Sequence, residues 1–204
     1  MNKDTNQTPA NQETNQKTSI GKSILLYIHD LSYLVAIMML AFLLLFRVVV
    51  VSGPSMKNTL VDGDYLLLLS SVFYNDPQPG DIIVASKDSF ENGVPIVKRV
   101  IAVEGQEVDI DFENGIVYVN GVALDEPYIT APTTVAEGVQ FPLIVSEGCV
   151  FVLGDNRPVS LDSRNTRVGL LDKREILGKA FFLFLPGSEG GKITRDMSRI
   201  GVLK

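Results

Sequence analysis

Apolar positions in this chain are arranged in two ways. After a polar start, Leu31 to Val51 reads LSYLVAIMMLAFLLLFRVVVV, unbroken by charge except at Arg47. As a helix this run would reach about 31 Å, enough for the roughly 30 Å hydrocarbon layer of a bilayer. Arg47 stands near its far end, where a long side chain can reach the headgroups. The valines after it are β-branched, so the helix could equally stop near Phe46 and pass into a strand. A buried core helix is the competing reading of the same run.

Beyond Ser52 the pattern changes to short β-rich runs divided by turn formers. It predicts strands over Tyr65 to Leu69, Asp81 to Ala85, Ile96 to Val103, Glu107 to Phe112, Ile116 to Val119, Cys149 to Leu153 and Gly178 to Leu185. Glu113-Asn114-Gly115 and Asn120-Gly121 carry hairpin chemistry, and Asp76-Pro77-Gln78-Pro79-Gly80 marks another turn. Helix signals are few. The stretch between the strand ending at Val103 and the one starting at Cys149 holds its own hairpin, so residues 104–148 read as a smaller inserted subdomain beside a core of 52–103 and 149–188. Residues 189–204 should leave the core as a tail.

Residues 1–22 are rich in Asn, Thr, Gln and Lys and should form a disordered tail, with the anchor over 23–51. The apolar run is longer than the roughly 7–15 residues of a cleavable signal, and no small-x-small site follows it, so an uncleaved anchor is expected. Lys17 and Lys22 precede it, which favours a cytoplasmic amino end and a folded part on the outer face of the cell membrane. The fold class expected is mostly β: a single transmembrane helix, then an extracytoplasmic antiparallel β domain with a smaller inserted β subdomain.

The formal net charge of −6, with no basic cluster, argues against a nucleic-acid partner and leaves apolar surface to meet lipid. Cys149 is the only cysteine, so there is no internal disulfide; its flanks look like a strand entering a core. No Cys or His cluster offers a metal site. His29, the only histidine, precedes the apolar run, which excludes a Ser-His-Asp enzyme in the folded part.

Chemistry must then come from other side chains. Ser55 follows Gly53-Pro54, which constrains the backbone before the hydroxyl and makes a nucleophile beside its own oxyanion amide plausible; a turn serine is the plainer reading. Lys98 lies on the strand Ile96-Val97-Lys98-Arg99-Val100, sharing a side with Ile96 and Val100. An amine on an apolar strand face must be paired, solvated or neutralised, and a neutral one can take a serine's proton. An edge-strand lysine is the alternative. The third element, Gly154 to Arg164, is dense in turn formers and paired charges. Ser160 could orient Lys98 there, with Arg99, Asp155, Asp162 and Arg164 holding the surroundings, or the segment could be a salt-bridged loop.

Taken in order, Gly53-Pro54-Ser55-Met56 with Thr59-Leu60, then Pro79-Gly80-Asp81-Ile82-Ile83-Val84, then Lys98-Arg99-Val100, then Gly154 to Arg164, resemble the motifs of type I signal peptidases, especially the short Gram-positive forms with one amino-terminal anchor. The likeness runs from the anchor to about Leu185. It implies a Ser/Lys-dyad serine endopeptidase that removes signal peptides from exported pre-proteins at Ala-x-Ala type sites, with no cofactor and no metal. By that resemblance Ser55 is the nucleophile and its amide the oxyanion donor, Lys98 is the general base, and Ser160 orients the lysine. The substrate would add as a strand, with Val51 and Val97 walling shallow pockets. Three positions depart from the pattern: Asn58 where Pro is usual, Gly53 where many Gram-negative members carry a serine, and Pro158-Val159 where Asp-Asn is usual. A membrane-anchored assembly factor for pili or other surface proteins is the alternative function, and a self-cleaving Ser/Lys protein a weaker third.

Overall fold

The structure, a computed structural model, describes residues 10–87, 93–188 and 195–203, with side chains from Lys22 onward. It divides into an amino-terminal unit and a second compact unit that begins at Leu45.

The amino-terminal unit is one helix, α1, Ala10–Leu45. Lys22–Leu45 is long and apolar enough to cross a membrane, at about 36 Å for its length. Ile24, Leu34, Met39 and Leu44 are among its outward apolar side chains. A helix apolar on all sides suits lipid better than water. Two boundaries differ from expectation. Residues 10–22 continue the helix instead of forming a disordered tail, because extending an existing helix costs far less than starting one. The helix stops at Leu45, short of the anchor bound at Val51 and as the alternative of an end near Phe46 has it, so Arg47 belongs to a strand.

The second unit is antiparallel β structure. Its main sheet has the order β1-β2-β11-β3-β4-β9-β10, with β12 also pairing β11. The strands are β1 Phe46–Val50, β2 Tyr65–Ser70, β3 Ile82–Ala85, β4 Ile96–Val103, β9 Cys149–Leu153, β10 Leu171–Asp172, β11 Ile176–Leu185 and β12 Gly201–Val202. Val48, Val49 and Val50 form β1 because they pair with Leu67, Leu66 and Tyr65 of β2, where β-branched side chains sit well on a pleated surface. In β2, Leu66 and Leu68 point inward. The central strands β3 and β4 are buried almost throughout, and their sequences are accordingly near-continuous apolar runs. A bulge between Val100 and Ala102 re-phases β4 against β9, so that Val97, Val100 and Ile101 enter three different apolar clusters.

The smaller sheet, in the order β7-β6-β5-β8, comprises β5 Glu107–Asp111, β6 Ile116–Val119, β7 Val122–Ala123 and β8 Leu143–Ile144. Val108, Ile110 and Val117 from it pack with Ile101, Phe151 and Leu153 of β4 and β9. The insert therefore shares its core with the main sheet. Residues 195–203 do not leave the core as a tail. Gly201 and Val202 pair with Leu183 and Phe182, Leu203 packs on the first apolar cluster, and the remainder of that tail lies outside the described residues.

Candidate active site

Ser55 sits on the loop joining β1 to β2. The foot of that loop is closed by the Val51 amide donating to the Asp64 carbonyl at 2.8 Å and the Gly63 amide donating to Val51 at 2.9 Å. Gly53 has φ 89°, in the left-handed region that a side chain disfavours, and its amide donates to Asp62 at 2.9 Å. After Ser55 the chain makes a tight turn, with the Lys57 amide bonded to the Pro54 carbonyl and the Leu60 amide to the Met56 carbonyl. Met56 and Leu60 point into the core, which holds the turn down.

Lys98 arrives from β4, with only 4% of its surface exposed. Its Nζ donates to Ser55 Oγ at 3.0 Å and to the Val97 carbonyl at 3.0 Å. Its strand has Val84 opposite Val97 and Ile83 opposite Lys98 on one side, while β9 pairs only from Arg99 onward. In the main sheet the β9 ladder thus begins beyond Ile96–Lys98, and β1 stands at the end of the strand order. A cleft of about 410 Å³ lies along β1 and Ile96–Lys98, lined by Val49, Val50, Ser55, Val97, Lys98 and Val159 among others.

Behind the serine, Asn156 clamps its peptide. The Asn156 amide donates to the Ser55 carbonyl at 2.9 Å and Nδ2 to the Pro54 carbonyl at 3.1 Å, while Thr130 holds the Asn156 side chain. Gly154 lies so close that a Cβ there would overlap both the Ser160 side chain and the Ser55 carbonyl. The quoted motif contained Asn156 and Gly154, but nothing in the residue types assigned them a task; only the backbone's approach reveals it.

Arg99, Asp155, Asp162 and Arg164 form two buried forks. Arg99 Nε and Nη2 donate to the two oxygens of Asp155 at 2.9 and 2.8 Å, Nη1 donates to the Gly80 carbonyl at 3.0 Å, and the guanidinium lies 4.0 Å from the Tyr128 ring centre. Burial, with Glu126 alongside, pushes the Tyr128 phenol well above its ordinary pKa, so the ring beneath Arg99 stays neutral. Thr59 Oγ1 donates to Asp155 in a short bond, which ties this fork to the serine loop. In the second fork, Arg164 bonds both oxygens of Asp162 and also the carbonyls of Arg157 and Ser160, while Asp162 accepts the Gly154 amide at 3.1 Å.

One sequence-derived placement changes. Ser160 is buried at 2% exposure, and among the described residues its hydroxyl has no hydrogen-bond partner. Val51 does not line the cleft; it is 3% exposed and packs with Met56, Leu60 and Leu66, because the chain turns inward as β1 ends. Val97 does line the cleft, together with Val49 and Val50. Asn58 has φ 83°, a conformation closed to proline, so the turn after the serine departs locally from one built on Pro.

Residues 24–185 match the family described as signal peptidase, peptidase S26. The chain belongs to the signal peptidase family. It is 36% identical over 186 residues to a signal peptidase I of Bacillus licheniformis, covering 87% of this chain and 95% of that one. It is 34% identical to signal peptidase I T of Bacillus subtilis strain 168, covering 88% and 91% respectively. A signal peptidase I from Enterococcus faecalis V583 with a crystal structure is 33% identical and covers 51% of this chain and 96% of its own, at a TM-score of 0.43. As a signal peptidase family member with one amino-terminal apolar helix, the chain is a membrane-anchored peptidase that acts on signal peptides.

Proposed function

We propose that the peptidase works through a Ser55/Lys98 dyad and cuts exported pre-proteins after Ala-x-Ala type sites at the outer face of the membrane. The carrying observation is the 3.0 Å contact between Ser55 Oγ, at the cleft, and the Nζ of Lys98, a residue only 4% exposed. Loss of water disfavours the ammonium form of a lysine, and a neutral amine can accept the hydroxyl proton as Ser55 Oγ attacks the carbonyl carbon. The oxyanion then accepts from the Ser55 amide. Collapse breaks the C–N bond, Lys98 returns the proton to the leaving amine, and an ester on Ser55 remains. Water attacks that ester with Lys98 taking its proton, which finally restores the serine hydroxyl.

Substrate binding follows from the cleft between β1 and Ile96–Lys98. An extended signal-peptide segment laid between β1 and Ile96–Lys98 would find backbone partners on both sides, and the valine-rich cleft would accept small side chains. Ser160 is the proposed lysine-orienting residue. Its buried hydroxyl has no partner among the described residues, a hydrogen bond costly to leave unmade, and lies against the serine loop through Gly154. Arg99, Asp155, Asp162 and Arg164 brace this region. The exposed Val48, Val50 and Val159 are the proposed lipid-facing surface.

The test is Lys98→Ala in the full, detergent-solubilised chain. Cleavage should fall about 10²- to 10⁴-fold, the range of a general base, with an unchanged circular dichroism spectrum. A folded variant that cuts at the wild-type rate would contradict the dyad.

A further inference from the structure

The carboxyl-terminal segment carries an arginine with no place in the scheme above. Residues 195–203 lie beyond the family match, which ends at residue 185. Arg199 extends from them to the foot of the serine loop. Its Nη1 donates to Asp64 Oδ1 at 2.9 Å, and its Nη2 donates to Asp64 Oδ2 at 2.7 Å and to the Thr59 carbonyl at 3.3 Å.

Both partners hold the loop that carries Ser55. Asp64 is fully buried; its carboxylate also accepts the Val61 amide at 2.8 Å and the Gly187 amide at 2.7 Å, and its carbonyl takes the Val51 amide that closes the loop. Thr59 ends the turn that begins at Ser55. Its amide donates to the Met56 carbonyl, and its hydroxyl is engaged by Asp155 and, at 3.4 Å, by Arg99. The turn is therefore gripped from two sides, by the Arg99–Asp155 fork and by Arg199.

The arginine is not delivered by a loose end. A 3₁₀ turn over Met197–Arg199 is capped by Asp196, β12 pairs with β11, the Leu203 amide donates to the Phe181 carbonyl at 2.9 Å, and Leu203 packs on the cluster that contains Val51, Met56 and Leu60. The strap and the serine turn thus rest on one piece of core. Ordering a long side chain carries an entropic cost, and a pre-anchored strap has already met much of it.

We infer that Arg199 is a positioning residue, which fixes the serine turn through Asp64 and Thr59 so that Ser55 Oγ stays within reach of Lys98. The inference rests on the reading of Ser55 as the nucleophile. Small misplacements of a reacting group cost large factors in rate, so the loss should fall on kcat.

The test compares wild type, Arg199→Ala, Arg199→Lys and Ser55→Ala as full chains in detergent, assayed on an Ala-x-Ala pre-protein far below every Tm. Arg199→Ala should lower kcat about tenfold with KM within about twofold. Arg199→Lys keeps Asp64 paired but has no fork to span both partners; it should fold like wild type with kcat down about threefold. A merely structural role would lower Tm and leave kcat unmoved, so wild-type kcat in both variants overturns the inference. Hydrogen exchange reads the brace without activity. The Leu60 and Gly63 amides should exchange faster in Arg199→Ala, and unchanged protection would also overturn it. If Ser55→Ala cut as well as wild type, the nucleophile reading would fail while the exchange result still decided whether Arg199 braces the loop.

Discussion

Lys98 Nζ lies 3.0 Å from Ser55 Oγ although the two residues are far apart in sequence, one on strand β4 and the other on the loop between β1 and β2. The contact exists because β1, the serine loop and β4 line one cleft.

Gly154 should tolerate no side chain. A methyl there would overlap Ser160 and the Ser55 carbonyl, so Gly154→Ala must push the two apart. The overpacking cost should be about 1–3 kcal/mol, read as a lower urea midpoint, and cleavage should fall more steeply than stability. Wild-type activity in Gly154→Ala would show that the close approach has no functional weight.

Much of this was legible from residue pattern. Ile96–Val103, Ile116–Val119 and Cys149–Leu153 appear with the expected bounds, since each is an apolar run closed off by turn formers or charges. The start of β1 was legible only as one of two readings, because its valines continue the anchor's apolar run and only pairing with β2 decides between helix and strand. Two-residue strands such as Val122–Ala123 and Gly201–Val202 are too short for periodicity to register. Ser55 and Lys98 stood out as candidates by residue type and motif. The core position of Val51 and the bonds from Arg199 to Asp64 and Thr59 were not legible because both depend on how the chain turns in space.

The Arg99–Asp155 fork should be a stability element as well as a brace. Asp155→Ala leaves a buried guanidinium without its partner, which costs about 3–5 kcal/mol. Denaturant unfolding of the solubilised chain measures it, and a loss below about 1 kcal/mol would mean that water or Tyr128 compensates.

Asp81 gives a pH dependence. Burial pushes its carboxyl up, but bonds from Lys179, Tyr74 and the Gln78 amide outweigh that and hold it below its ordinary value. A carboxylate whose folded pKa is depressed contributes stability above its unfolded pKa of about 3.9 and loses it as pH falls through the folded value. Wild type should therefore lose stability on acidification below about pH 4 more steeply than Asp81→Asn. Parallel stability curves for the two proteins would refute this assignment.

The most direct test is cleavage of a pre-protein bearing an Ala-x-Ala site by the detergent-solubilised chain, with Ser55→Ala beside it and the products sequenced. The dyad predicts a cut after the second Ala by wild type and none by Ser55→Ala. Equal cutting by both would contradict it and move the nucleophile elsewhere in the chain.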